Sequence, residues 1–209
     1  MAARQLFYSP NSPYARKVRI VLAEKGIPYE AKIVDTNQPP EHFATLNPNL
    51  RVPVFVDGER TLFESNVILD YLLRSFPAKS IGGSQPALAA SLTRADRHWD
   101  DMAVLVTIET LLDTGINLFQ FLRTGMKVEQ APYLQKEMSW TQSCLDWLEA
   151  RMSPEGYAPG QFSIQDLNLV CALTWAEFRK PFQWRGRKNL ERIVANYAER
   201  PSVKETRPA

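Results

Sequence analysis

Ser12 is followed by Pro13, Tyr14 and Ala15, directly after the apolar run Leu6-Phe7-Tyr8 and at the head of an amphipathic stretch. Serine then proline is a favoured helix start: the hydroxyl caps a backbone N–H and the proline occupies the first helical position. The same place is the positive end of a helix, which stabilises an anion and depresses the pKa of a thiol held against it. The two readings are compatible, because an oxygen that accepts a backbone N–H keeps its own proton to donate. The protein's own thiols stand elsewhere. Cys144 and Cys171 lie 27 residues apart in stretches that read as helical, so neither CxxC chemistry nor a disulfide framework is indicated and packing is their expected role. His42 and His98 have no metal-ligand spacing around them, and no metal is expected.

Short mixed segments must position Ser12. Leu6 to Tyr8 reads as a strand, and Pro13 to Lys25 as a helix with Ala15, Val18, Val21 and Leu22 on one face and Gly26 as its stop. Tyr29 to Val34 reads as a second strand, followed by Pro39-Pro40 and a short helix around Glu41 to Thr45. Pro53-Val54-Phe55-Val56 and Thr61-Leu62-Phe63 flank Asp57-Gly58, a hairpin signal. Ser65 then opens a helix through Ile68, Tyr71 and Leu72 that stops before Pro77. The order is βαβαββα.

From Pro86 strand signals vanish. Leu88, Leu92, Ala95, Trp99, Met102 and Val106 recur at helical spacing, as do Leu134, Met138, Thr141, Leu145, Leu148 and Met152. Ser163-Ile164-Gln165-Asp166 is a capping-box-like start for a helix that runs to Phe178 and halts at Pro181. A last helix, with Leu190, Ile193, Val194 and Tyr197 on one face, ends before Pro201. The expected division is an α/β domain over 1–77, a linker over 78–85 containing Gly82-Gly83-Ser84, and an all-helical domain over 86–209. With 44% apolar and 23% charged residues the chain reads as globular, and a net charge of +2 gives no ground for a nucleic-acid or membrane surface. No apolar run of membrane-spanning length and no signal core are read, so a cytoplasmic location is expected.

Three motifs together resemble one family. Ser12-Pro13-Tyr14-Ala15 in a strand-to-helix turn is similar to the CPYC of glutaredoxins, with Ser12 and Ala15 in place of the two cysteines. Asn47-Pro48-Asn49-Leu50-Arg51-Val52-Pro53-Val54-Phe55 resembles the NPxGxVPxL segment of glutathione S-transferases, and Leu62-Phe63-Glu64-Ser65-Asn66-Val67-Ile68 with Tyr71-Leu72 resembles their LxESxAIxxYL. Ser163 and Asp166 fall where that family carries its helical capping box. The resemblance covers essentially the whole chain. It implies a thioredoxin-like N-terminal domain followed by an all-α domain.

The resemblance also implies roles. Pro53 is expected in cis after Val52, presenting backbone to the cysteinyl part of glutathione; the plainer reading is that Pro53 begins an edge strand. Ser65 and the first amides of its helix suit the γ-glutamyl carboxylate and Glu64 the ammonium, although both also make sense as a helix start. Arg51 stands where the family often has Lys or Gln near the peptide. Ser12, four residues before Arg16, matches the serine branch as donor to the glutathione sulfur, with Ser9, Tyr8 and Asn11 as rivals. The thiolate then attacks a hydrophobic electrophile, with glutathione as co-substrate and no metal or redox cofactor. Tyr14, Asn11, Trp99 and Met102 are candidate pocket residues, and a homodimer is expected. In such a dimer Asp100 or Asp101 would reach the partner's glutathione ammonium, the alternative being a solvated face. The six cations between Arg179 and Arg192, with Trp184 among them, read as a surface or interface face rather than a nucleic-acid site. A non-catalytic binding protein, or an ether-cleaving, dehalogenating or isomerising glutathione enzyme, would share the scaffold.

Overall fold

The computed structural model describes residues 4–77 and 86–208. The expected linker 78–85 lies outside the described residues. The chain divides into two compact units, Met1–Leu92 with Arg200–Ala209, and Thr93–Glu199. The expectation of one C-terminal block running to the last residue differs from this, because the final ten residues join the first unit.

In the first unit, β1 (Gln5–Tyr8), α1 (Pro13–Lys25), β2 (Glu30–Ile33), α2 (Phe43–Leu46), β3 (Val54–Asp57), β4 (Arg60–Phe63) and α3 (Ser65–Ser75) follow the expected order. The strands line up β2-β1-β3-β4. β1 and β2 are parallel, joined through α1, while β3 runs antiparallel to β1 and to β4. Strand alternation sorts the side chains onto two faces. Phe7, Val54 and Phe63 share one face and pack with Phe43 and Leu46 of α2. Leu6, Tyr8 and Phe55 share the other, where the Arg19 guanidinium of α1 lies 4.9 Å from the Tyr8 ring and Tyr71 of α3 packs at 6.4 Å from Phe55. Ala15, Val18, Val21 and Leu22, the expected stripe of α1, are fully buried. Gly26 ends the helix in the left-handed conformation at φ 61, its N–H bonded to Ala23.

The first unit also contains α8 (Pro201–Lys204), which the sequence reading missed because four residues carry no periodic signal. It is tied to α1 by buried charge. The Arg200 guanidinium forks onto the Glu24 carboxylate at 2.7 and 2.6 Å, Ser202 donates to the same carboxylate, and Arg16 donates to the Val203 carbonyl at 2.9 Å.

The second unit consists of α4 (His98–Leu122), α5 (Pro132–Glu149), α6 (Ile164–Arg179) and α7 (Lys188–Tyr197). Several expectations are corrected here. The first helix does not extend back to Leu88: a 3-10 turn over Ala95–Arg97 precedes it, and the Asp101 carboxylate takes the Arg94 backbone N–H at 2.7 Å, holding the chain in a turn. Its inward face is also not the stripe read from the sequence. Val104, Leu105, Ile108, Leu111, Leu112 and Leu118 are buried, whereas Trp99 and Val106 are exposed. The helix is apolar on several sides, so its period is ambiguous. With its preceding turn it is long and apolar enough by composition to cross a bilayer, which the sequence reading also missed, and here it packs against α5 and α6 as a core helix. Gly115 leaves room for the segment that follows α6, since a Cβ there would meet the Phe182 ring at 2.6 Å and Trp175 of α6 at 3.4 Å. Along α5 the buried stripe is Leu134, Glu137, Thr141, Leu145 and Leu148, with Glu137 in place of the expected Met138.

The Ser163 cap forms as read. Its Oγ accepts the Asp166 N–H at 3.0 Å and donates to the Asp166 carboxylate at 2.6 Å, which also accepts the Tyr157 N–H at 2.9 Å. Burial nonetheless pushes the Asp166 carboxyl up to about 6. Cys171 is buried, Cys144 partly so, and neither is in a disulfide.

Candidate functional site

The sheet register decides where the motif residues meet. Phe7 pairs with Val54, and Val54 with Phe63. Phe7 and Tyr8 end β1, Val54 begins β3 and Phe63 ends β4, so these three chain positions lie at one end of the sheet. The loop to Ser12 leaves from Tyr8, Val52–Pro53 enters at Val54, and Glu64–Ser65 leaves from Phe63. All three motifs therefore emerge at that end.

Ser12 is the N-cap of α1, with φ −75 and ψ 120, half-buried. Its N–H donates to the Ser9 carbonyl at 3.0 Å, its carbonyl accepts the Arg16 N–H at 3.0 Å, and its Oγ accepts the Ala15 N–H at 3.2 Å. These three bonds fix the hydroxyl at the helix end with the oxygen engaged as acceptor, which leaves the O–H proton as its donor. Among the rivals, Tyr8 is buried beneath Arg19 on the α1 face of the sheet. Asn11 and Ser9 sit in the turn, partly buried. Tyr14 is half-buried with the Lys17 ammonium 5.0 Å from its ring centre, so one face of the ring is already covered.

Val52–Pro53 is cis. Val52 and Pro53 are buried and lie just before the first ladder residue of β3. Arg51 is exposed at the side chain, while its carbonyl accepts the Asn47 amide at 2.7 Å. Ser65 is buried at the first position of α3, and Glu64, exposed, is its N-cap at φ 66 and ψ 120, a sparsely populated conformation for a residue with a Cβ.

Two residues of the site were missed as functional, although their motif was read. Asn47 is buried; its Oδ1 accepts the Asn49 N–H at 2.9 Å while its amide holds Arg51. Asn49 donates from Nδ2 to Glu64 Oε1 at 2.9 Å, joining the second motif to the third. The Asn-Pro-Asn spelling is the local signal, since asparagine side chains organise turns through their own backbone.

Trp99 and Met102 belong to the second unit, Trp99 exposed and edge-on to His98, Met102 half-buried. Asp101 does not present a carboxylate outward. It is buried, bonded by the Arg94 guanidinium at 2.6 and 3.1 Å, and although burial pushes its carboxyl up, the bonds from Arg94 hold it below the ordinary value. Asp100 is exposed and pairs with Arg97 at 2.8 Å. Three of the six cations of the basic stretch are engaged within their own unit: Arg187 with Asp146 at 2.6 Å, Arg185 with Glu177 at 3.1 Å, and Arg179 against Phe119 and Phe178. Among the described residues, no group of three or more His, Cys, Asp or Glu side chains is arranged to hold a metal.

Known proteins share this fold. The family model described as glutathione S-transferase, N-terminal domain, matches residues 6–80. A crystal structure of a glutathione S-transferase from Methylobacillus flagellatus KT, with GSH bound, superimposes with a TM-score of 0.79 at 26% identity, covering 99% of this chain and 100% of that one. The chain belongs to the glutathione S-transferase family. The chain is also 43% identical to a stringent starvation protein A homolog of Pasteurella multocida over 207 residues, 94% of this chain and 86% of the relative. A homolog of the same name from Haemophilus ducreyi is 36% identical over 105 residues, so the chain matches about half of that relative's length, 49%.

Proposed function

We propose that this transferase-family protein binds glutathione at the end of the sheet carrying Ser12, Val52–Pro53 and Glu64–Ser65, and conjugates its thiolate to hydrophobic electrophiles. The supporting observation is the Phe7–Val54–Phe63 register, which gathers the three motifs at one end of the sheet. In this reading the Val52 backbone pairs with the cysteinyl backbone of the ligand. Ser65 and the first amides of α3 take the γ-glutamyl carboxylate, Glu64 takes the ammonium, and Arg51 lies near the peptide. Ser12 donates its O–H to the sulfur, and with the positive end of α1 favours thiolate over thiol. The serine is a donor rather than a nucleophile. The sulfur lone pair forms the new S–C bond as the electrophile's leaving group departs with its own bonding pair, a reaction that balances without metal or redox cofactor. We further propose a cytoplasmic homodimer.

A second reading, binding without turnover, is favoured by the 43% identical Pasteurella multocida relative, whose name speaks of starvation rather than conjugation. Glutathione binding by calorimetry, beside conjugation to a generic aryl halide, separates the two. Binding with turnover that falls at least about 100-fold in Ser12→Ala supports the transferase reading, by analogy with removal of one donor to a developing anion. Binding without turnover across a panel of electrophiles supports the module, and no binding contradicts both.

A further inference from the structure

We propose that Asn49 is a positioning residue that gives this site its preference for ligands carrying a free γ-glutamyl ammonium, an inference that rests on reading Glu64–Ser65 as the γ-glutamyl subsite. The buried Asn47 builds the platform. Its carbonyl accepts the Leu50 N–H at 3.0 Å, its Oδ1 accepts the Asn49 N–H at 2.9 Å, and its Nδ2 holds the Arg51 carbonyl at 2.7 Å. Leu50 is thereby held at φ 54, and Asn49 at a fixed height beside the start of α3. From there Asn49 Nδ2 reaches Glu64 Oε1 at 2.9 Å.

The chemistry of that bond selects a cation. An amide is a neutral donor, so it occupies one lone pair of the Glu64 carboxylate without cancelling its charge. A lysine or arginine at the same place would neutralise the group. Glu64 carries a flexible side chain on a rare backbone conformation, with no capping bond of its own to α3. Fixing Oε1 from the loop removes rotamer freedom that would otherwise be lost when ligand binds, and leaves Oε2 as the acceptor for an ammonium. The same Asn47 secures the carbonyl before Val52, so one buried amide sets the relative position of the cysteinyl and γ-glutamyl contacts.

The test measures binding of two probes, glutathione and glutaryl-cysteinylglycine, which lacks only the ammonium, to the native protein, Asn49→Ala, Glu64→Ala and the double variant. Asn49 is exposed, so its truncation leaves the fold in place. The expected result is a loss of about three- to tenfold in glutathione affinity for Asn49→Ala. Glutaryl-cysteinylglycine should change by less than twofold, and Asn49→Ala should have no further effect once Glu64 is alanine. Native binding with equal losses for both probes, or with none, overturns the role of Asn49 and leaves the glutathione reading intact. Failure of the native protein to bind glutathione overturns both.

Discussion

At the residue scale, Ser12 has two separable jobs. As a cap it takes one backbone N–H, and Ser12→Ala is expected to lower stability by about 1 kcal/mol in urea melts, with the fold retained. In the proposed mechanism it also donates to the ligand sulfur, a role that melts of the free protein do not read. Glu64 makes the opposite bargain. Glu64→Gly relieves a Cβ at φ 66 and is expected to raise stability by up to about 1 kcal/mol while weakening glutathione binding. A variant that is both less stable and unaffected in binding would remove Glu64 from the subsite. Ser12 and Ser65 were legible as helix starts because that chemistry uses few residue types, whereas the cis Val52–Pro53 bond was expected only through the family resemblance. Asn47 and Asn49 were not, because what matters in them is where two amides point, and a turn-forming spelling does not state that.

At the scale of elements, the α/β half was readable nearly to the residue, since Gly26, Asp57-Gly58 and Pro77 punctuate it and each strand alternates or pairs. The helical half was less so. α4 is apolar on several sides, so Trp99 and Val106 fit a helical stripe as well as the residues that are buried. Which face turns inward was settled by tertiary packing on α5 and α6. The start of α6 carries a pH prediction. The Asp166 carboxyl, near 3.8 when unfolded, titrates at about 6 in the folded protein, so between those values the folded state holds a proton the unfolded state has released. Stability from this group is therefore fully present below about pH 4 and is lost as pH rises through about 6. Relative to Asp166→Asn, the native protein should gain on the order of 2 kcal/mol between pH 7.5 and 4.5. A difference that is flat across this window, or that grows with pH, would contradict it.

At the scale of the whole molecule, the chain ends back on the unit where it began. Glu24 and Arg200 are both buried and 176 residues apart, a pairing no periodicity announces. Arg200→Met leaves a buried carboxylate without its cation and is expected to cost about 3–5 kcal/mol, whereas a paired Glu24→Leu, Arg200→Met replacement should recover much of it. Denaturant melts of both single variants and of the double variant measure this, and a double-variant loss equal to the sum of the two single losses would show that the pair is not coupled. The central claim, however, is that this fold brings a thiol to Ser12 and ionises it. Its most direct test is the pH titration of the thiolate ultraviolet absorbance of glutathione bound to the native protein and to Ser12→Ala. The account predicts ionisation in the native complex well below the ~8.5 of an ordinary cysteine thiol, and about one to two pH units higher in Ser12→Ala with binding retained. Bound glutathione that ionises at the same pH in both proteins would contradict it.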